Sequence, residues 1–195
     1  KWERAAKSLG SAGKKLTLGV TTPLIGAGTV MVKEAMALED AMYTVATLPG
    51  VAAEEIPAYT SAILEASSAT GIAAEELAQA QYQAISAGQS AEDSVHFVQQ
   101  SAKAAKAGLT DTATVVNGAT SILNAWGSAA GGVDHVLDVL AVAQNEGKTT
   151  IGDIASQIGQ LTGLAPQLNI SLDDTLAAVA ALFCMIFLGE ALEAP

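Results

Sequence analysis

The sequence predicts an all-α fold: an array of about eight short antiparallel helices forming a compact helical module, preceded by a Gly-rich N-terminal helical arm, either extended or loosely attached. Three observations predict it. Half of the 195 residues are apolar but only 4% are aromatic, since Ala and Val dominate, which suits closely spaced helices better than a β-sandwich. Gly71, Gly88, Gly108, Gly127 and Gly147 fall 17, 20, 19 and 20 residues apart. Each interval holds a helix of about 14 residues and a short turn, so neighbours run antiparallel. Between the breakers, apolar residues step at helical spacing, as in Val115, Ala119, Ile122 and Trp126. Ala-rich faces such as Ala102 and Ala105 let helix axes approach closely.

Taken in order, Thr22-Pro23 starts the first helix, with Pro in the first turn where its missing N–H costs nothing, and Leu48-Pro49-Gly50 stops it. A second helix spans about 54–69 and ends at Gly71; a third spans 74–87 and ends at Gly88. The fourth opens at Ser90, with Asp93 reaching back in a capping box, and ends at Gly108. The fifth runs from about Asp111 to Trp126, the sixth from Val133 to Asn145. Thr150 with Asp153 and Ser171 with Asp174 repeat the hydroxyl-x-x-acid signal and start a seventh and an eighth. The seventh carries one stripe through Ile151, Ile154, Ala155, Ile158 and Leu161. Identity between the intervals is too low for a true sequence repeat.

Charge divides the chain. Residues 1–33 hold six bases and one acid, Glu3; the rest holds three bases and 19 acids, for a net −11. We therefore delimit a basic N-terminal arm at 1–48, a helical core module at 49–182 and an atypical apolar C-terminal tail at 183–195. An acidic body excludes general nucleic-acid binding, and the arm's one aromatic in its basic opening, Trp2, gives no stacking platform. The single cysteine, Cys184, excludes a disulfide framework and a multi-cysteine zinc site. No secretory signal is expected, and the missing initiator Met fits a fragment or a processed piece. Residues 16–32 are interrupted by Gly19, Pro23, Gly26 and Gly28, and the apolar run 176–188 reaches only about 20 Å as a helix, against the ~30 Å of a bilayer core.

Residues that carry chemistry are few. Asp134, His135 and Asp138 lie within one and a half helical turns, too few for a metal site, with His96 39 residues earlier on another helix. Cys184, inside an apolar run, reads as a buried small hydrophobe. Gly10-Ser11-Ala12-Gly13-Lys14-Lys15 has two spacer residues where a phosphate loop needs four, and Gly26-Ala27-Gly28 has Met31 where a dinucleotide fingerprint needs Gly. Asn169-Ile170-Ser171 is a chance sequon. The acid pairs Glu54-Glu55, Glu75-Glu76, Glu92-Asp93 and Asp173-Asp174 stand in first helical turns and complement helix dipoles. Catalytic, cofactor-binding and metal residues are therefore assigned to no position.

Several stretches together resemble the core region of bacteriophage tail tape-measure proteins, or minor tail proteins. They begin at Leu16-Thr17-Leu18-Gly19-Val20-Thr21-Thr22-Pro23-Leu24 and continue through Leu38-Glu39-Asp40-Ala41-Met42 and Gly71-Ile72-Ala73-Ala74-Glu75-Glu76-Leu77-Ala78. They are clearest in Ser101-Ala102-Lys103-Ala104-Ala105-Lys106-Ala107-Gly108-Leu109 and Ile122-Leu123-Asn124-Ala125-Trp126-Gly127. The resemblance covers most of residues 10–182. It implies a non-enzymatic structural protein of the virion that sets tail length and guides tail-tube assembly. It further implies self-association in the tail lumen and contact with tail-tube proteins, baseplate proteins and tail assembly chaperones. Location in the host cytoplasm during assembly follows, with no sequence-specific nucleic acid and no cofactor. Members are several times longer, so the chain would be a piece. The departure is at Phe183-Cys184-Met185-Ile186-Phe187-Leu188, where a more polar turn is expected; a truncated or rearranged reading frame produces such a tail. Two rival readings are a membrane-active helical protein that binds the host envelope during genome delivery, and a lytic or accessory enzyme domain. The absence of a usable His, Cys or paired-acid cleft counts against the second.

Overall fold

The computed structural model describes the backbone of residues 22–193 and the side chains of residues 33–186. The described residues form nine α-helices and no strand. They are α1 (Thr22–Ala46), α2 (Ile56–Thr70), α3 (Ala74–Ser86), α4 (Ala91–Ala107) and α5 (Thr112–Trp126), followed by α6 (Gly132–Gly147), α7 (Ile151–Gln157), α8 (Gly159–Thr162) and α9 (Leu172–Glu193). Short 3-10 turns at Ala53–Glu55, Gly127–Ala130 and Pro166–Leu168 fill three of the connections. The chain divides into two compact units after Asp40, within α1.

From α2 onward the packing follows one rule. Each helix from α2 to α7 touches its successor, as in α2 with α3, α3 with α4, α4 with α5 and α5 with α6. Contacts also reach the next helix but one, α2 with α4, α3 with α5, α4 with α6 and α5 with α7, while α6 meets α9 past the short α7 and α8. Connections of three to five residues turn the chain back between the helices from α2 to α7. Of the predicted stripes, Val115, Ala119, Ile122, Ile151, Ile154 and Ile158 are fully buried, and the core they form also takes in Leu77, Phe97, Leu140 and Leu176. Trp126 Nε1 donates to the Ile170 carbonyl at 3.0 Å, tying the segment after α8 to the end of α5.

The hydroxyl-x-x-acid starts cap as predicted, with one difference. Ser90, Thr150 and Ser171 each accept the backbone N–H three residues on, at 3.0, 3.0 and 3.1 Å. Asp93, Asp153 and Asp174 accept from those same hydroxyls at 2.6, 2.6 and 2.7 Å. An aspartate is one methylene shorter than the glutamate of a full capping box and meets the hydroxyl before the backbone. Asp111 caps α5 by the reverse arrangement, accepting the N–H and the hydroxyl of Thr114 at 2.7 and 2.8 Å.

The five breaker glycines end helices for two different reasons. Gly71 terminates α2 in the left-handed region, at φ 74°, which a residue without Cβ adopts freely. At Gly108 and Gly147 the left-handed turn falls one residue later, on Leu109 (φ 52°) and Lys148 (φ 50°). There the glycine makes room: a Cβ on Gly108 would lie 3.0 Å from Ile151 Cβ, and one on Gly147 3.0 Å from Ala180 Cα.

The predicted seventh helix is broken. α7 stops at Gln157 and α8 restarts at Gly159, Ile158 holding a turn between them. Gly152, Gly159 and Gly163 lower helix propensity by roughly 1 kcal/mol each. The Leu161 N–H shifts to an i−3 acceptor, Ile158. Ile151, Ile154, Ala155 and Ile158 stay buried while Leu161 is half-buried. At the other end, α9 continues without interruption across residue 183. Residues 1–21, with the basic Lys1–Lys15 segment and its glycines, lie outside the described residues.

Candidate functional site

The residues that could carry chemistry are placed by the stack. α4 and α6 lie side by side, and His96 Nε2 meets both carboxylate oxygens of Asp134 at 3.1 and 3.2 Å. α6 and α9 repeat the arrangement, with His135 Nε2 3.3 Å from Asp173. Both pairs span 38 residues, and each joins one helix to the first turn of another packed beside it. All four side chains are 43% or more exposed, a setting in which such pairs contribute about 0–1 kcal/mol. His135 is thus matched with Asp173 across the interface, and Asp138, the predicted same-face neighbour, is not its ion-pair partner. Among the described residues no three His, Cys, Asp or Glu side chains come together as a metal site.

Cys184 is half-buried, more open than its apolar run predicts. It stands in a groove of about 590 Å³ between α6 and α9, with Val142, Ala143 and Leu176 on the walls and His135 toward the other end. Eleven residues of α9 separate Cys184 from Asp173, the partner of His135, about 16 Å along a helix axis. A thiol and an imidazole that far apart do not exchange a proton.

The acid pairs stand where expected, in the first turns of α3, α4 and α9, and Glu54-Glu55 in the 3-10 turn before α2. Gly26 and Gly28 lie inside α1, not at a strand-to-helix turn. Gly10–Lys15 is outside the described residues. Among the described residues two ionisable groups are shifted from their ordinary values. The Asp111 carboxyl is held below 3.8, chiefly by the Thr114 hydroxyl and N–H. The Tyr59 phenol is pushed up to about 12 by burial and by its 2.9 Å hydrogen bond to Glu55.

Much of the remaining polar chemistry closes helix ends across the stack, and no local sequence signal announces it. Lys106 Nζ donates to the Thr70 carbonyl at the end of α2. Asn124 Nδ2 donates to the Ala87 carbonyl just after α3 at 2.9 Å, and Gln144 Oε1 accepts the Ile151 N–H at the start of α7 at 2.8 Å. These contacts satisfy backbone groups that a helix end leaves open.

Among the described residues, polar groups are thus turned to packing and capping within a stack of helices. Comparison with known proteins is more specific: the phage-related minor tail protein family matches residues 60–184, and the chain belongs to that family. It is 31% identical over 177 residues to a probable tape measure protein of Clostridium phage phiCD119, covering 88% of this chain and 19% of that protein. It is 27% identical over 172 residues to the tape measure protein of Pneumococcus phage Dp-1, covering 88% of this chain and 15% of that one. The chain therefore spans less than a fifth of either relative. No solved structure matches it. The role is that of a structural component of a phage tail.

Proposed function

We propose that this chain is part of a tape-measure protein, the tail component whose length sets the length of the tail and around which the tail tube assembles. The observation that carries the reading is its identity to two tape measure proteins over 88% of its own length. The architecture supports a non-enzymatic role, since its histidines, acids and polar side chains take part in helix packing and capping. On this reading the chain sits in the tail lumen of the virion, and its partners are further copies of itself, tail-tube and baseplate proteins, and tail assembly chaperones. No described helix is long and apolar enough to cross a membrane.

The test is genetic. In-frame duplications in the gene that carries this chain are introduced into the phage, and tails are measured by electron microscopy. Tails that lengthen in step with the duplication are the expected result. Assembled tails of unchanged length would remove the measuring role and leave a tail component of another kind.

A further inference from the structure

We propose that the outward face of α9 around Leu182 is a docking surface for a further helix, the next member of a stack that repeats every 39 residues. The register comes from the α4–α6 and α6–α9 interfaces. Between α4 and α6, a groove is lined by Lys103, Ala104 and Ala107 on one side and Asp134, Leu137 and Ala141 on the other. Advancing each position by 39 residues gives Val142, Ala143 and Glu146 on α6, and Asp173, Leu176 and Ala180 on α9. Those six residues line the groove between α6 and α9. The His96–Asp134 and His135–Asp173 contacts obey the same shift. Two successive interfaces are therefore one interface used twice, although the residues that build them differ in identity.

A third use needs an acceptor on α9. The shift turns Val142, Ala143 and Glu146 into Ala181, Leu182 and Met185. Ala143 is covered by α9 at 3% exposure, whereas Leu182 is 60% and Met185 69% exposed. The acceptor has also lost its charge, from Lys103 and Glu146 at two of these positions to Ala181 and Met185. An exposed apolar helix face in the register of two occupied ones is an unfilled place in the stack. Beside it lies an apolar groove of about 250 Å³, between Ile158 and Leu161 on one side and Leu182 and Ile186 on the other.

The occupant follows from what α6 and α9 present. It is an amphipathic helix with Leu on its inner face and a small residue four positions on, as in Leu137 with Ala141 and Leu176 with Ala180. Its first turn differs. The residue 39 positions beyond His135 is Asp174, so the incoming helix carries a basic or neutral residue where α6 and α9 carry Asp134 and Asp173. Its source is the same polypeptide in a protein as long as the relatives, of which this chain matches 19% and 15%. The proposal stands apart from whether tail length is measured by this protein.

The test uses the full chain and a labelled helical probe, the sequence of residues 131–147 carrying Asp134→Lys and held helical by a hydrocarbon staple on its outer face. Fluorescence anisotropy should show saturable binding that weakens at least about tenfold when the chain carries Leu182→Glu with Met185→Glu. Leu64→Glu, on the exposed surface of α2, should give no loss. Restoring Asp134 in the probe should weaken binding severalfold at low salt. Absence of saturable binding, or equal binding to the double variant, would overturn the proposal. So would sedimentation showing that the chain dimerises through Leu182 and Met185, because the occupant would then be a second copy.

Discussion

Replacing Gly118 with alanine sets two effects of opposite sign against each other. Gly118 lies inside α5, where alanine raises helix propensity by about 1 kcal/mol. Its position faces α7, however, and a Cβ built there would lie 2.5 Å from Ala155 Cβ and 3.0 Å from Ala155 Cα. Carbon atoms rest at about 3.5–4.0 Å, so α5 and α7 must part by about an ångström, which forfeits much of their dispersion contact. Overpacking of this kind costs about 1–3 kcal/mol, and a clash partly against backbone falls toward the upper end. The net expectation for Gly118→Ala is a loss of about 1–2 kcal/mol, or a melting temperature lower by roughly 2–8 °C. Urea unfolding followed by circular dichroism measures it. Two controls isolate the cause. Gly159→Ala, where a Cβ meets nothing within 4 Å, should be neutral or stabilising. Adding Ala155→Gly to Gly118→Ala should recover about 1 kcal/mol or more beyond the sum of the single effects. A Gly118→Ala variant as stable as the parent, or one that Ala155→Gly does not rescue, would refute the close-approach account.

Three further outcomes are expected. Asp111→Ala should cost about 1 kcal/mol at neutral pH. Because the folded carboxyl lies below its ordinary 3.8, its contribution is present above that value and declines as pH falls through the folded pKa, so acid titration of parent and variant stability should converge. The Tyr59 phenol is raised from 10.0 to about 12, so its contribution is complete below pH 10 and lost between pH 10 and about 12; Tyr59→Phe should flatten the alkaline stability profile over that window. Ser101 is fully buried with no hydrogen-bond partner for its hydroxyl, so Ser101→Ala should raise stability by about 1 kcal/mol in thermal melts.

Helix order and boundaries were legible because each rests on local chemistry. Ser90, Thr150 and Ser171 act on an N–H three residues away, and Gly71 acts on its own φ. What depends on distant neighbours was not legible. Gly108 and Gly147 read like Gly71, yet they are glycine because of Ile151 and Ala180 on other helices. The break at Ile158 was hidden by an apolar stripe that runs on across it. The His96–Asp134 and His135–Asp173 contacts left a trace in the sequence, one separation of 38 residues used twice. That trace becomes meaningful once the helices that carry these residues are known to touch.

The stacking rule also fixes how much distance the chain covers for its length. Thirty-nine residues in one straight helix extend about 58 Å. From α4 to α6, and again from α6 to α9, 39 residues carry the chain from one helix to a neighbour packed beside it, a step of about 8–10 Å. The conversion from sequence to distance here is thus about one-sixth that of a rod. Adding or removing one such repeat would therefore alter the chain's reach by about a helix width, while the same change in a straight helical stretch would alter it by several.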